Sequence, residues 1–133
     1  MILDSSAVIA MLLREPGWEA LTDRVSQSPQ PAIGAATLAE TGAVLTARLG
    51  ITGQTLLERF LVEANLSVIP FTAEHARTAV DAFQRFGRGR HPAALNFGDC
   101  LTYATALVAA EPLLCVGNDL PQTDLEVVSL DDT

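Results

Sequence analysis

Four acidic residues of this chain stand beside apolar runs, where a carboxylate is least at home. Asp4 closes Met1, Ile2 and Leu3. Glu40 follows the run at 35–39 and precedes the one at 42–45. Asp99 opens the apolar stretch 100–110, and Asp119 follows residues 113–118. Runs this apolar are normally buried, and an acid there is costly unless it is paired or coordinates a metal. Brought together by a fold, four carboxylates would repel one another, and a divalent cation would relieve the repulsion. Hard cations such as magnesium select oxygen ligands, so the pattern points to a metal-dependent hydrolytic site.

Each acid also has a structural use. Glu40 stands three residues after Thr37, a capping-box spacing. Asp99 stands three after Asn96, where an acid favours a helix dipole. Asp119 after Asn118 fits a turn. Asp4 is harder to explain away, because two serines follow it to cap a helix, and the quartet carries more weight than any member. Asp124, after Thr123, is a fifth candidate, with a solvated loop acid as its alternative; Glu126, Asp131 and Asp132 read as surface. Ser5 and Ser6 are first of all helix caps, and their hydroxyls could hold a phosphate oxygen or an ordered water. Arg85, Arg88 and Arg90 lie in the chain's basic run, at 85–92. Arginine forks match phosphate geometry, although charge runs commonly form solvated loops.

Other chemistries find little support. All eight basic residues are arginine, which removes the lysine that a phosphate-binding P-loop needs. Receiver domains and haloacid-dehalogenase phosphatases, which also gather carboxylates at strand ends, rely on a lysine as well. No Gly-x-Gly-x-x-Gly loop follows a strand. His75 and His91 are too few and too far apart for a zinc triad. Cys100 and Cys115 match no metal or redox spacing and read as reduced core residues. The net charge of −8 argues against a general nucleic-acid coat but leaves room for an enzyme with a local basic strip.

The 133 residues suit a single domain with a proper core. Hydrophobic content of 49% and a mean hydropathy of +0.29 suggest a buried partner surface. No apolar run approaches the roughly 20 residues of a membrane helix, and no basic leader precedes Asp4, so a cytoplasmic protein is expected.

Short β runs alternate with helical stretches. Strands are expected at 1–4, 32–34, 67–71, 113–116 and 126–129. Helices are expected at 7–13 behind Ser5 and Ser6, 18–26, 38–49 up to Gly50, and 52–64 with Leu56, Leu57, Phe60, Leu61 and Ala64 on one face. Two more follow Thr72 (73–86) and Asn96 (97–110). Residues 117–124 read as a loop and 131–133 as a tail. Alternating βα units imply a parallel sheet covered by helices, with ligands bound at the carboxyl ends of the strands. Asp4 and Asp119 fall at strand ends and Glu40 and Asp99 in first helical turns, all on one rim.

Taken together, Ile2-Leu3-Asp4-Ser5-Ser6-Ala7, Ala36-Thr37-Leu38-Ala39-Glu40, the block from Gly87 through His91-Pro92 and Leu95-Asn96-Phe97-Gly98-Asp99-Cys100, and Gly117-Asn118-Asp119-Leu120 with Thr123-Asp124 resemble the VapC toxins. These are PIN-domain ribonucleases of bacterial toxin–antitoxin pairs, and the resemblance spans essentially the whole chain. It implies one PIN domain over residues 1–133, a three-layer α/β/α sandwich with a parallel sheet of 4–5 strands. It implies that Asp4, Glu40, Asp99 and Asp119 hold Mg2+ or Mn2+, with Asp124 assisting, and that RNA is hydrolysed by metal-activated water. It further implies a VapB-like antitoxin, a homodimer, and partner surfaces on the helices at 52–64 and 73–86. Two departures stand out. Relatives commonly carry a lysine and Gly-Asp-Asp before the last acid, where this chain has Cys115-Val116-Gly117-Asn118-Asp119. Asp-Ser-Ser replaces Asp-Thr-Ser at residues 4–6, keeping the hydroxyl. A non-catalytic RNA- or partner-binding scaffold and a metal-dependent DNA nuclease are the rival readings.

Overall fold

Met1, Ile2 and Leu3 are apolar on both faces, and they supply the strand to which the rest of the sheet is added. In the computed structural model, which describes residues 1–131, β1 (Ile2–Leu3) is followed by α1 (Ser5–Leu12) and α2 (Trp18–Gln27). Then come β2 (Ala32–Gly34), α3 (Ala35–Leu49), α4 (Ile51–Glu63) and β3 (Ser67–Ile69). The chain continues through α5 (Ala73–Phe86), α6 (Phe97–Ala109), β4 (Leu113–Leu114) and a 3-10 turn at Leu120–Gln122. Asp132 and Thr133, expected in a surface tail, lie outside the described residues.

The sheet is parallel throughout, in the order β3-β2-β1-β4. Chain order runs outward from β1 through β2 to β3, then reverses to place β4 on the other side of β1. That reversal is the switch point at which open α/β sheets bind ligands, and Asp4 immediately follows β1. Alternation along the strands divides the core in two. Ile2, Ala32 and Leu113 face the side covered by α5 and α6, with Phe86, Leu95, Tyr103 and Ala104. Leu3, Ile33 and Leu114 face the opposite side, with Val8, Leu21, Leu45 and Leu57 from α1 to α4. The expected three-layer sandwich is therefore present, with four strands. Of the strand expected at 126–129, a single bridge remains, between Val127 and Leu113.

Several boundaries differ from expectation for physical reasons. β3 stops at Ile69 because Pro70 has no N–H to continue the ladder. β4 ends after Leu114, and Val116 N donates to Ser6 Oγ at 2.9 Å instead of extending the strand. α1 begins at Ser5, not Ala7, and α3 at Ala35, not Leu38, because β2 passes into α3 with no intervening loop. The caps of the last two long helices are as expected. Thr72 and His75 close a capping box on α5, and Asn96 and Asp99 close one on α6. Gly50, at φ 62°, ends α3 and starts α4 in a conformation that favours glycine. Among the described residues, no helix is long and apolar enough to cross a membrane.

Candidate metal centre

Asp4 is the N-cap of α1, a role expected of Ser5 and Ser6. Its backbone is extended (φ −84°, ψ 158°), and its Oδ2 accepts from Ser6 N at 3.1 Å and Ser6 Oγ at 2.6 Å. Its Oδ1 accepts from Thr102 Oγ1 at 2.6 Å, and Thr102 in turn meets Thr37 Oγ1 at 3.1 Å. The carboxylate is only 4% exposed, held by hydroxyls and an amide. Burying a charge among neutral donors leaves its field largely uncancelled.

Asp99 lies one turn before Thr102 on α6. Its own N–H donates to Asn96 Oδ1 at 2.8 Å and its Oδ2 accepts from Asn96 N at 3.1 Å. The capping role and a role in the site therefore coexist in one side chain. Burial pushes the Asp99 carboxyl above its ordinary value, against the lowering effect of the Asn96 hydrogen bond. The negative charges of Asp4, Asp119 and Glu40 push it further the same way. That three-way repulsion is the electrostatic signature of a shared site.

Glu40 reaches the same place from the second turn of α3, not the first, since α3 starts under Gly34 and Thr37 is already inside it. The Thr37–Glu40 capping box is therefore not formed. The Glu40 carboxylate instead lies over Gly98: a Cβ built there would overlap Oε2 and stand 2.8 Å from Cδ. Asp119 is exposed and precedes the turn Leu120–Gln122, anchored by the buried Leu120.

Asp4, Glu40, Asp99 and Asp119 line one cleft of about 270 Å³, together with Ser5, Ser6, Asn96 and the residues 116–118. Among the described residues, no basic side chain lines it. Nor do any three acid, histidine or cysteine side chains converge tightly enough to chelate an ion directly. Four oxygen-rich side chains without a counter-charge fit a hard cation that keeps part of its water shell, as magnesium does. Cys115 lies near Asp4 and Asp99. Burial, then the charges of Asp4 and Asp99, pushes its thiol up to about 12.

The remaining candidates lie elsewhere. Asp124 is not among the cleft residues. It accepts from Tyr103 OH at 2.7 Å and from Arg85 Nη2 at 3.4 Å, so both oxygens are engaged away from the acids. Arg85 is correspondingly occupied, with its guanidinium over the Phe86 ring and Asp81 nearby. Arg88 and Arg90 are exposed on the loop before α6, with Arg90 over Phe83, and neither lines the cleft. Ser5 lines the cleft freely, while Ser6 is committed to Asp4 and Val116. Sequence reasoning overlooked Thr102, Gly98 and Tyr103, and it gave Thr37 only a capping role. The signal for Thr102 was present: a hydroxyl one helical turn after Asp99, inside an otherwise apolar helix.

A family model for the PIN domain matches residues 1–126. Ribonuclease VapC36 of Mycobacterium tuberculosis is 52% identical over 127 residues, covering 95% of this chain and 91% of that protein. Ribonuclease VapC of Mycolicibacterium smegmatis is 38% identical over 96% of this chain and 99% of its own length. Among solved structures, the sarcin-ricin-loop-cleaving toxin VapC20 of M. tuberculosis superposes with a TM-score of 0.78 at 16% identity, covering 96% of this chain and 97% of its own. VapBC2 of Rickettsia felis, bound to a promoter DNA fragment, gives 0.74 at 15% identity, covering 96% of both chains. The carboxylates gathered behind β1 thus stand in a PIN fold, and the chain belongs to the PIN-domain family, among the VapC ribonucleases.

Proposed function

We propose that this chain, as one PIN domain, is a divalent-cation-dependent endoribonuclease, the toxin of a toxin–antitoxin pair acting in the cytoplasm. The observation that carries the reading is the convergence of Asp4, Glu40, Asp99 and Asp119 on one cleft with no basic side chain lining it among the described residues. Asp4 and Asp99, with Glu40 or Asp119, would hold Mg2+ or Mn2+, partly through water. The bound cation would supply acidity to a water and positive charge to the phosphate under attack. Asp4 has both oxygens committed to donors, so it orients and does not take a proton. The proton of the attacking water passes to Asp99 or Asp119. Ser5, open on the cleft, is placed to donate to a phosphate oxygen.

Arg88 and Arg90, exposed on the loop before α6, would meet RNA outside the cleft, and Arg85 serves the fold instead. A VapB-like antitoxin and a second copy of the chain would cover the apolar surface left by α3–α6. Ile51, Val62, Val80 and Phe97 are largely exposed there, and the trough between α3 and α4 encloses about 930 Å³.

Cleavage of a mixed RNA pool by purified, antitoxin-free chain tests this, with Mg2+, Mn2+ or chelator and Asp99→Asn as control. Discrete metal-dependent cuts absent from the control are expected, with single-stranded DNA left intact at equal concentration. Cuts that persist in chelator or in the control would refute it.

A further inference from the structure

The turn that carries Asp119 has few ties of its own. At one end Val116 N donates to Ser6 Oγ, which also donates to Asp4. Inside it Thr123 Oγ1 donates to Leu120 O at 2.7 Å and Gln122 Nε2 to Asn118 O at 2.8 Å. Those bonds shape the turn, and Leu120, buried in the core, anchors it at the residue after Asp119. Beyond the turn Glu126 O accepts from Leu113 N at 2.9 Å, and Asp124 adds a side-chain tie at the outer end. Tyr103, fully buried in α6 and packed on Phe86, donates its hydroxyl to Asp124 Oδ1 at 2.7 Å. Arg85 of α5 reaches Asp124 Oδ2 and the Tyr103 hydroxyl, each at 3.4 Å.

Residues 116–124 therefore form a strap tied by Ser6, by buried Leu120 and by Asp124, with Asp119 between the first tie and the second. One helix serves three acids: Asp99 belongs to α6, Thr102 holds Asp4, and Tyr103 holds the strap of Asp119 through Asp124. We propose that Asp124 is a positioning residue that holds Asp119 at the cleft through Tyr103 and Arg85, and not a metal ligand. This rests on the reading above, in which Asp119 helps to hold the cation. Residues that orient ligands from behind commonly change metal affinity by about 10–100-fold when removed.

The test uses the full chain and the variants Tyr103→Phe, Asp124→Ala and Asp124→Asn, with Mn2+ as the probe. Two readouts are taken: Mn2+ affinity by titration, and amide hydrogen exchange over 117–123 in metal-free protein. Tyr103→Phe leaves the Asp124 carboxylate intact, yet it is expected to weaken Mn2+ about 10-fold and to speed exchange in the strap. Asp124→Ala should do the same, and the double variant should be no worse than either alone. Asp124→Asn, whose Oδ1 still accepts from Tyr103, should recover most of the protection. Loss of Mn2+ binding in Asp124→Asn with parent-like binding in Tyr103→Phe would overturn the proposal in favour of a ligand role. Unchanged strap exchange in Tyr103→Phe would overturn it too. A parent chain that binds no Mn2+ would sink the metal reading instead, and faster exchange in Tyr103→Phe would still support the strap.

Discussion

Replacing Gly98 by alanine should separate activity from stability. Gly98 lies in the first turn of α6 at a φ open to any residue, so its backbone tolerates a side chain. In an exposed helix, glycine to alanine gains about 0.5–1 kcal/mol, which for a domain this size raises the melting temperature by about 2–5 °C. The new Cβ, however, would lie 2.8 Å from Glu40 Cδ and overlap Oε2. Carbon–carbon contact distances are about 3.5–4 Å, so the Glu40 carboxylate must retreat by about 1 Å. Glu40 is half-buried on a flexible stem and can swing outward cheaply. A catalytic group displaced by about 1 Å can cost about 10²-fold in rate. Gly98→Ala should therefore melt no lower than the parent while cleaving RNA about 100-fold more slowly. Fluorogenic RNA cleavage and a thermal melt measure both. Adding Gly98→Ala to Glu40→Ala should cause little further loss, since the group it displaces is already gone. Parent-like cleavage by Gly98→Ala, or a fully additive double variant, would refute the role given to Glu40.

Three further outcomes are expected. Thr102→Val keeps the volume but strips a donor from buried Asp4, so urea unfolding should show a loss of about 1–3 kcal/mol; a parent-like midpoint would count against the Thr102–Asp4 bond. Burial, reinforced by neighbouring acids, holds the Asp99 carboxyl above its ordinary 3.8, so the folded state keeps a proton that the unfolded chain releases. That stability is present below 3.8 and is lost as pH rises through the folded value. Metal-free Asp99→Asn should thus melt above the parent at neutral pH, with the gap closing on acidification and reversing in Mn2+; a gap independent of pH would contradict this. Cys115, buried with its thiol pushed up to about 12, should resist iodoacetamide at pH 8 until the chain unfolds. Prompt labelling of native protein would show the site to be more open than described.

What could be read from the sequence was local chemistry. The caps at Thr72 and Asn96 act within one turn of backbone, and both helices begin where those residues place them. The acid quartet was legible because an acid beside an apolar run stands out, although only Asp4 is itself buried and Asp119 is exposed. The cap of α1 was not, because Asp4, Ser5 and Ser6 are all good cap formers. The choice falls to Asp4 through contacts with Thr102 and, by way of Ser6, with Val116, both far along the chain. The start of α3 was missed because β2 enters the helix without turn residues to mark it. The sequence left Asp124 between a loop acid and an assisting role, because its partners Tyr103 and Arg85 are remote in sequence and meet it only once α5 and α6 are packed.

The pairing of β1 with β4 also has a consequence for biosynthesis. Ile2 and Leu3 lie beside Leu113 and Leu114, so of the four strands β1 is made before the others and waits for β4 before the sheet is complete. Asp4 emerges at the outset, Glu40 later, Asp99 and Asp119 near the end. A nascent chain that lacks β4 and the turn after it would carry only part of the acid cluster. RNA cleavage would then wait for the sheet to close, when an antitoxin can meet a folded target.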